Sequence, residues 1–193
     1  YDPAAQRQSV GFRNADAMCE LARSVISVGH RRIAMISGMT QGNDRAQGRV
    51  EGVRQAMEAS GLDTGSLTLI ETAYEIDKGA EAFGRLMALT PCPTVVMCGN
   101  DVLAAGALRE AHRLGIQVPE QVSVTGFDDI ELAEIVSPAL TTVHVPHREM
   151  GRKAACELTA IVEGKSEGRS ICINTRVVTR HSLAKPPYQS EGT

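Results

Sequence analysis

Polar side chains follow several apolar segments of the sequence, and their types suit the binding of a small polar molecule. The segments read RIAMISG, LTLIETA, VVMCG and VTGF, and the polar residues after them are Asn43, Asp44, Arg45, Arg49, Tyr74, Glu75, Asn100, Asp101, Asp128 and Asp129. Arginine offers a planar fork of donors to a carboxylate, a phosphate or neighbouring hydroxyl groups. Asp and Asn accept hydrogen bonds from hydroxyls, and Tyr adds a flat apolar face with one polar end. We therefore expect a site for a hydroxylated or anionic small molecule.

Several of these residues also have a structural interpretation when each is taken alone. Asp101 directly precedes VLAAGAL and is expected to cap that helix, and Asp44 could cap the helix that begins near Arg45. Arg49 by itself could be a surface residue, and Tyr74 by itself could belong to the core. Their convergence at one sheet edge is what favours a binding role.

Catalytic and metal-binding arrangements are poorly supported by the sequence. It contains no GxSxG elbow, no GxxxxGK[ST] loop and no GxGxxG after a strand. His144 and His147 form HVPH without an obvious third metal ligand, so a loop or hinge role is expected. Asp128 and Asp129 are adjacent and usually would point in different directions, which disfavours a shared-proton pair. We predict no enzymatic activity, no metal site and no cofactor.

Helical and strand-like segments alternate along the chain. Helical spacing of apolar residues predicts helices at 14–28, 45–60, 77–89, 102–114 and 147–163, with Asp77 as a cap of the third. Short apolar or β-rich runs predict strands at 32–38, 67–74, 94–99, 122–127 and 171–179. Strands joined through helices indicate right-handed crossovers and a mainly parallel sheet.

The strand composition gives the same α/β fold class independently. AMIS, VVMC and VSVT are apolar throughout, as expected for parallel strands that are covered by helices on both faces. Ligands in such sheets bind beyond the carboxyl ends of the strands, where the polar residues follow. The stretch SPALTTVHVP breaks the helical rhythm and is interpreted as a hinge crossing between lobes. The tail KPPYQSEGT has little to bury and is expected to be disordered.

Composition restricts the classes of function further. The chain has 193 residues and a formal net charge of −3, so we do not expect it to grip nucleic acid or a membrane by itself. No apolar run reaches the ~20 residues of a membrane-spanning helix. The five cysteines are scattered among apolar neighbours without a CxxC pair, which favours buried free thiols in a reducing compartment.

Three blocks of sequence carry a resemblance to a known family. They read GHRRIAMISG, then NDRAQGRVEGVRQAMEASGL, then PTVVMCGNDVLAAGALREAHRLGIQVPEQVSVTGFDDIELAEIVSPALTTVHVPHREMG. Together they resemble the effector-binding domain of the LacI/GalR family of bacterial transcriptional regulators, with the blocks in family order from about Gly11 to about Arg180. The stretch GIQVPEQVSVTGFDDIELAEIVSPALTTV is highly specific.

The resemblance implies a periplasmic-binding-protein-like fold of type I, with two α/β lobes, three hinge crossings and a ligand cleft between the lobes. On that pattern the segments are 1–12 as the end of the N-terminal lobe, 13–144 as the C-terminal lobe, 145–166 as a return to the N-terminal lobe, 167–184 as the closing segment of the C-terminal lobe, and 185–193 as a disordered tail. Most of the N-terminal lobe and a helix-turn-helix would precede Tyr1.

The resemblance also implies roles for individual residues. Arg49 matches the arginine that grips the effector, Asp128 matches the effector-binding Asp of GFDD, and Asn100 matches the Asn of ND that points into the cleft. Tyr74 falls where an aromatic ring often stacks on the ligand. The segment Asp44–Arg45 matches the loop that usually lines the cleft.

Two positions depart from the family pattern. Arg13 stands where the family usually has Asp, which reverses a charge near the lobe boundary, and Gln47 replaces a frequent Arg. Either difference could alter the effector or only the surface.

We expect from the resemblance a cytoplasmic, homodimeric regulator that senses a sugar, a sugar acid or a nucleobase and binds operator DNA through a domain outside the chain. The candidate dimer contacts are Leu103, Ala104, Ala107 and Val136, of which the first three could equally belong to the core. The alternative hypothesis is a secreted sugar-binding protein that feeds a transporter.

Overall fold

The structure is a computed structural model of the chain, and it describes residues 8–187. The helices are α1 (Asn14–Ser27), α2 (Asp44–Ala59), α3 (Ile76–Met87), α4 (Asp101–Leu114), α5 (Leu132–Ile135) and α6 (His147–Val162). The strands are β1 (Val10–Gly11), β2 (Ile33–Gly38), β3 (Thr68–Thr72), β4 (Val95–Cys98), β5 (Ser123–Thr125), β6 (Thr142–His144), β7 (Ile171–Cys172) and β8 (Arg176–Val178). Residues 1–7 of the proposed N-terminal lobe segment and residues 188–193 of the predicted tail lie outside the described residues.

The central sheet has four parallel strands in the order β3-β2-β4-β5. Strands β2, β4 and β5 are fully buried, whereas β3 at the edge is only partly covered. The predicted parallel α/β sheet is therefore confirmed.

Alternating side chains of the buried strands supply two separate apolar clusters. Met35 and Met97 face a cluster with α1 and α2, while Ile36 and Cys98 face a cluster with α3 and α4. Because successive residues of a strand point to opposite faces, a run without polar residues can serve both clusters. Helices on both faces thus explain why these strands carry no polar alternation.

Two glycines allow the helix pairs on each face to approach closely. A Cβ atom at Gly52 of α2 would overlap the Ala15 carbonyl oxygen of α1, and one at Gly106 of α4 would overlap the Ile76 carbonyl oxygen of α3. Backbone contacts this close require the absence of a side chain.

A smaller region is built from both ends of the described chain. β1 pairs in parallel with β7, and α6 contacts β1. α6 has no buried residue, and its Leu158 and Val162 side chains are 62% and 79% exposed. The apolar stripe of α6 is therefore left largely uncovered within residues 8–187.

The segment predicted as one strand at 171–179 differs in the structure. β7 pairs with β1, whereas β8 pairs in antiparallel fashion with β6 of the SPALTTVHVP connector. Residues 173–175 separate the two strands and let the chain pass from one partner to the other. The apolar run was long enough for one strand, and its division depends on tertiary pairing.

Two predicted helix caps are wrong by one residue. Asn43 caps α2 by accepting a hydrogen bond from the Ala46 amide at 3.1 Å, and Asn100 caps α4 by accepting from the Leu103 amide at 2.9 Å. Asp44 and Asp101 are instead the first helical residues. In each Asn-Asp pair the Asn has the extended backbone that a capping side chain needs.

The cap predicted for α3 is also wrong. The helix begins at Ile76, Glu75 occupies the N-cap position without a side-chain cap, and Asp77 lies in the first turn. Asp77 pairs at 2.6 Å with Arg109 of α4. Both side chains are exposed, so this pair adds little stability.

Three of the candidate dimer contacts are core residues. Leu103, Ala104 and Ala107 have no exposed surface and pack in the cluster between α4 and the sheet. They cannot contact a partner chain, because their side chains are already enclosed by this one. Val136 is partly buried against the same cluster.

The expectation that all the cysteines are buried is correct only in part. Cys19 and Cys98 are buried and Cys92 is half-buried, but Cys156 and Cys172 are exposed. The two exposed thiols lie on α6 and β7, where little of the chain covers them. Across residues 8–187, no helix is both long and apolar enough to cross a membrane.

Candidate functional site

A cavity of about 610 Å³ opens beyond the carboxyl ends of β2, β4 and β5. The N-terminal ends of α2, α4 and α6 border it, and β1 contributes Val10 and Gly11 to its wall. All the predicted binding residues line this cavity, and they are Asp44, Arg45, Arg49, Tyr74, Asn100 and Asp128. The sequence-predicted set is thus brought together at one place.

Arg49 is the most constrained of these residues. It lies on the second turn of α2, and its side chain is only 8% exposed. Nε donates to Asn14 Oδ1 at 2.9 Å, Nη1 donates to the Gly99 carbonyl oxygen, and Nη2 lies 3.4 Å from Asp128 Oδ1. Burial lowers the pKa of Arg49, although Asp128 opposes that effect. The surface interpretation of Arg49 is therefore wrong.

An aromatic shelf supports the guanidinium of Arg49. Its Cζ lies 3.9 Å above the centroid of the Phe127 ring, a cation–π contact. Phe127 in turn stacks on Phe12, with 6.0 Å between the ring centroids. The fork is thereby held in one plane before any ligand arrives, which reduces the entropy lost on binding.

Asp128 follows β5 and faces Arg49. Burial raises the pKa of the Asp128 carboxyl, and the neighbouring charges of Arg49, His147 and Arg45 oppose that effect. Its amide donates to the Val143 carbonyl oxygen at 3.0 Å, and its carbonyl oxygen accepts from the Val145 amide at 3.3 Å. The backbone of the candidate ligand acceptor is therefore paired with the connector that carries β6.

Asp129 has a different surrounding from Asp128. Its carboxylate accepts from His144 Nδ1 at 2.8 Å and lies 2.7 Å from Arg180 Nη2. Burial raises the pKa of Asp129, but the hydrogen bonds from Arg180 and His144 outweigh burial and leave it below its usual value. Asp128 and Asp129 thus face different partners, as expected of adjacent residues that point in different directions.

Asn100 and Tyr74 occupy the walls of the cavity. Asn100 uses its Oδ1 to cap α4, so its amide group is the part available to a ligand. Tyr74 is 38% exposed, and its ring packs over Gly38, where a Cβ atom would overlap the ring. The core interpretation of Tyr74 is wrong, and the ring is placed so that one face can meet a ligand.

Asp44 and Arg45 lie at the mouth of the cavity and are exposed. They stand on the first turn of α2, where the positive end of the helix favours the Asp44 carboxylate. Of the other polar residues that follow the strands, Asp101 and Asp129 lie behind the cavity wall, and Glu75 does not line it.

Sequence reasoning missed several lining residues of the site, among them four with larger side chains. Phe12 follows β1 and Asn14 is the first residue of α1, and His147 and Met150 come from the first turn of α6. The signal for the first pair was the short apolar run before Phe12, which was not recognised as a strand. The second pair follows β6, a strand too short to stand out in the sequence. His147 was considered only as a hinge residue or a metal ligand.

No cluster of three or more His, Cys, Asp or Glu side chains in the described part of the chain could hold a metal ion. The donors around the cavity are guanidinium, amide and carboxylate groups. Such a set can bind an organic molecule through hydrogen bonds, and it lacks an assembled nucleophile and base.

Comparison with known proteins places these features in a family. Residues 22–183 match the family model described as a periplasmic binding protein-like domain. The HTH-type transcriptional repressor PurR of Escherichia fergusonii is 36% identical over 168 residues, covering 86% of this chain and 49% of the repressor. The chain thus spans about half the length of the curated relatives it matches.

Solved structures give the same result. The transcription regulator GntR of Chromobacterium violaceum is 33% identical with a TM-score of 0.85, covering 94% of this chain and 68% of that one. A LacI family transcriptional regulator of Enterococcus faecium with bound ribose is 25% identical with a TM-score of 0.85, covering 90% of this chain and 64% of that one.

Proposed function

We propose that the chain binds a small sugar-like effector in the cavity beside Arg49. The chain belongs to the family of periplasmic binding protein-like domains, in the form found as the effector-binding domain of LacI/GalR regulators. The observation that carries the proposal is the buried pair of Arg49 and Asp128 at the carboxyl ends of the strands. Burial lowers the pKa of Arg49 and raises the pKa of Asp128, so it disfavours the charged form of each residue. Keeping both charges at the cavity therefore costs folding free energy.

The pair has unused hydrogen-bonding capacity for a ligand. A guanidinium carries five N–H donors, and one from each nitrogen of Arg49 is directed at a protein acceptor. Oδ1 of Asp128 faces Arg49, which leaves Oδ2 to accept from a ligand. Adjacent donors and acceptors of this kind match two neighbouring hydroxyl groups of a sugar. A sugar acid or a nucleobase edge would satisfy the same pattern, with Tyr74 stacked on the flat face of either.

The relatives support a regulator over the transport alternative. The similar proteins carry the names of transcriptional regulators or repressors, and none of those names describes an enzyme. The ribose in the Enterococcus faecium regulator belongs to that protein, and it supports a sugar-like ligand here.

We propose that β1 and α6 are parts of a second lobe whose remainder lies outside this chain. The exposed apolar stripe of α6 supports this, because Leu158 and Val162 have no covering element among residues 8–187. The resemblance assigns the segments 1–12 and 145–166 to that lobe, and this assignment stays a prediction. We extend that lobe to β7, because β7 pairs with β1.

Regulation would follow from unequal binding of the effector to two lobe arrangements. A ligand that contacts both lobes favours the arrangement in which both sets of contacts are made, and it shifts the population only by that difference in affinity. We propose that this shift controls operator binding by a DNA-binding domain outside the chain, in a cytoplasmic homodimer. Dimer contacts in this lobe would have to come from exposed residues, such as Ile135, which is 78% exposed.

A thermal-shift screen over sugars, sugar acids and nucleobases tests the proposal. Ligand that binds only the folded state raises the melting temperature, and the rise grows with ligand concentration. We expect at least one compound to stabilise the wild type and to have no effect on Arg49→Ala or Asp128→Ala. A compound that stabilises all three proteins equally would place its site elsewhere. The screen is most informative on the complete regulator, in which both lobes are present.

A further inference from the structure

The turn that presents Asp128 has an unfavourable backbone conformation. Asp128 and Asp129 have φ values of 105° and 57°, in the left-handed region that favours glycine. Residues other than glycine stay in such conformations only where surrounding contacts hold them. The turn therefore needs anchors, and those anchors determine where the Asp128 carboxylate points.

Asp101 supplies an anchor from behind the cavity wall. It is 1% exposed, its Oδ2 accepts from the Ile130 amide at 2.9 Å, and its Oδ1 accepts from Thr142 Oγ1 at 2.6 Å. Its own amide donates to the Phe127 carbonyl oxygen at 2.9 Å. Asp101 at the start of α4 thus joins the residue before the strained turn through its amide, and the residue after the turn and β6 through its carboxylate.

The backbone packs directly against the Asp101 carboxylate and leaves no space for a side chain at position 126. A Cβ atom at Gly126 would overlap Asp101 Oδ1, so the strand end approaches the carboxylate as closely as glycine permits. Burial raises the pKa of Asp101 to about 6, and hydrogen bonds from Thr142 and Ile130 oppose that effect. Burial disfavours the charged form of Asp101, and Asp101 does not line the cavity. Its hydrogen bonds to Ile130 and Thr142 therefore indicate a role in shaping the turn.

We propose that Asp101 is a positioning residue of the candidate site: through the Ile130 amide it holds the turn that aims the Asp128 carboxylate at Arg49. This inference rests on the proposed function for its biological meaning. The geometric part, that Asp101 sets the conformation of the turn, can be tested without any ligand.

Asp101→Ala and Thr142→Val form a matched pair of variants. Ala at position 101 removes both carboxylate oxygens, so the Ile130 amide and the Thr142 hydroxyl lose their acceptor. Asn would not do this, because its oxygen can accept from Ile130 while its NH2 group donates to the Thr142 hydroxyl, which can also accept. Val at position 142 is similar in size to Thr and removes only the hydroxyl donor, leaving the bond to Ile130. Both variants break the contact between residues 101 and 142, and only the first can release the turn.

The first readout is NMR of the chain without ligand. A positive φ shortens the distance between the amide and α protons within a residue, so Asp128 and Asp129 should give strong cross-peaks between them. In Asp101→Ala we expect these cross-peaks to weaken and the Ile130 amide signal to shift, while Thr142→Val keeps the wild-type pattern. Unchanged signals of residues 128–130 in a folded Asp101→Ala protein would overturn the proposal. If Asp101→Ala does not fold, Thr142→Val decides: a loss of the Asp128 and Asp129 cross-peaks there would overturn the proposal by placing the control of the turn in Thr142, and their retention would support the bond from Asp101 to Ile130 as the anchor.

The second readout is the affinity for D-ribose measured by calorimetry. We expect Asp101→Ala to bind about tenfold more weakly than wild type, the loss typical of one hydrogen bond to a charged group, and Thr142→Val to stay within about twofold. Equal affinities of wild type and Asp101→Ala would contradict the proposal. A wild-type protein that ignores D-ribose counts against ribose as the effector, while the NMR result still decides the role of Asp101.

Discussion

Replacing Arg49 by Met tests whether its guanidinium compensates the buried charge of Asp128. Met keeps most of the apolar length of the side chain and removes the fork. At the 3.4 Å separation of Nη2 and Oδ1, an effective dielectric constant of about 20 gives an attraction of about 5 kcal/mol. The Asp128 side chain is 23% exposed, so solvent screening reduces that value. Counting also the lost bonds to Asn14 and Gly99, we expect a loss of about 2–4 kcal/mol in unfolding free energy at pH 7.

The cost of Arg49→Met should depend on pH. Burial already places the pKa of Asp128 above its ordinary value, and removal of Arg49 raises it further. A carboxyl whose pKa is higher in the folded state destabilises the fold once pH rises through the unfolded and then the folded pKa. The variant should therefore lose less stability at pH 4 than at pH 7, because the raised pKa lets more of Asp128 take the neutral form at the lower pH.

Urea denaturation of four proteins measures the effect: wild type, Arg49→Met, Asp128→Asn and the double variant. Because Asn carries no charge, we expect Asp128→Asn to recover part of the loss in the Arg49→Met background, with a coupling energy of about 1–3 kcal/mol. Additive effects within about 0.5 kcal/mol would refute the account of the pair as mutually compensating charges.

Three further predictions follow from other parts of the structure. Because the pKa of Asp101 is raised from 3.8 to about 6 in the folded protein, the contribution of Asp101 to the unfolding free energy falls as pH rises between those values. Urea denaturation across this range should therefore show a flatter dependence of unfolding free energy on pH for Asp101→Asn than for wild type. Gly106→Ala should cost about 1–3 kcal/mol in thermal or urea denaturation because its Cβ would overlap α3, whereas Gly151→Ala on α6, with nothing within 4 Å, should be neutral or stabilising by up to about 1 kcal/mol. A thiol reagent should modify Cys156 and Cys172 in the native protein and the buried thiols only after unfolding, which mass spectrometry of the labelled peptides would check.

Much of the fold could be predicted because the signals were local. The alternation of apolar strands with amphipathic helices gave the parallel sheet, and helix boundaries were correct to within a residue or two. Two short strands escaped notice because β1 has only two residues and β6 only three. Their existence depends on pairing between distant parts of the chain, which no local pattern records.

Part of the candidate site could also be predicted from local sequence patterns. Residues after the carboxyl ends of the buried apolar strands, such as Arg49 and Asp128, were found from the rule that ligands bind there. Phe12 and His147 were missed because they approach the cavity from the smaller region around β1 and α6. The choice between Asn100 and Asp101 as the helix cap required the backbone geometry, since either side chain could cap a helix.

Isothermal titration calorimetry of the best ligand from the screen tests the central claim most directly. The account predicts that Asp128→Ala weakens binding by about 2–4 kcal/mol, the loss expected when a buried charged hydrogen bond is removed. Asp77→Ala, which removes an exposed ion pair at a residue that does not line the cavity, should bind with wild-type affinity. Wild-type affinity in Asp128→Ala would contradict the assignment of the cavity as the effector site.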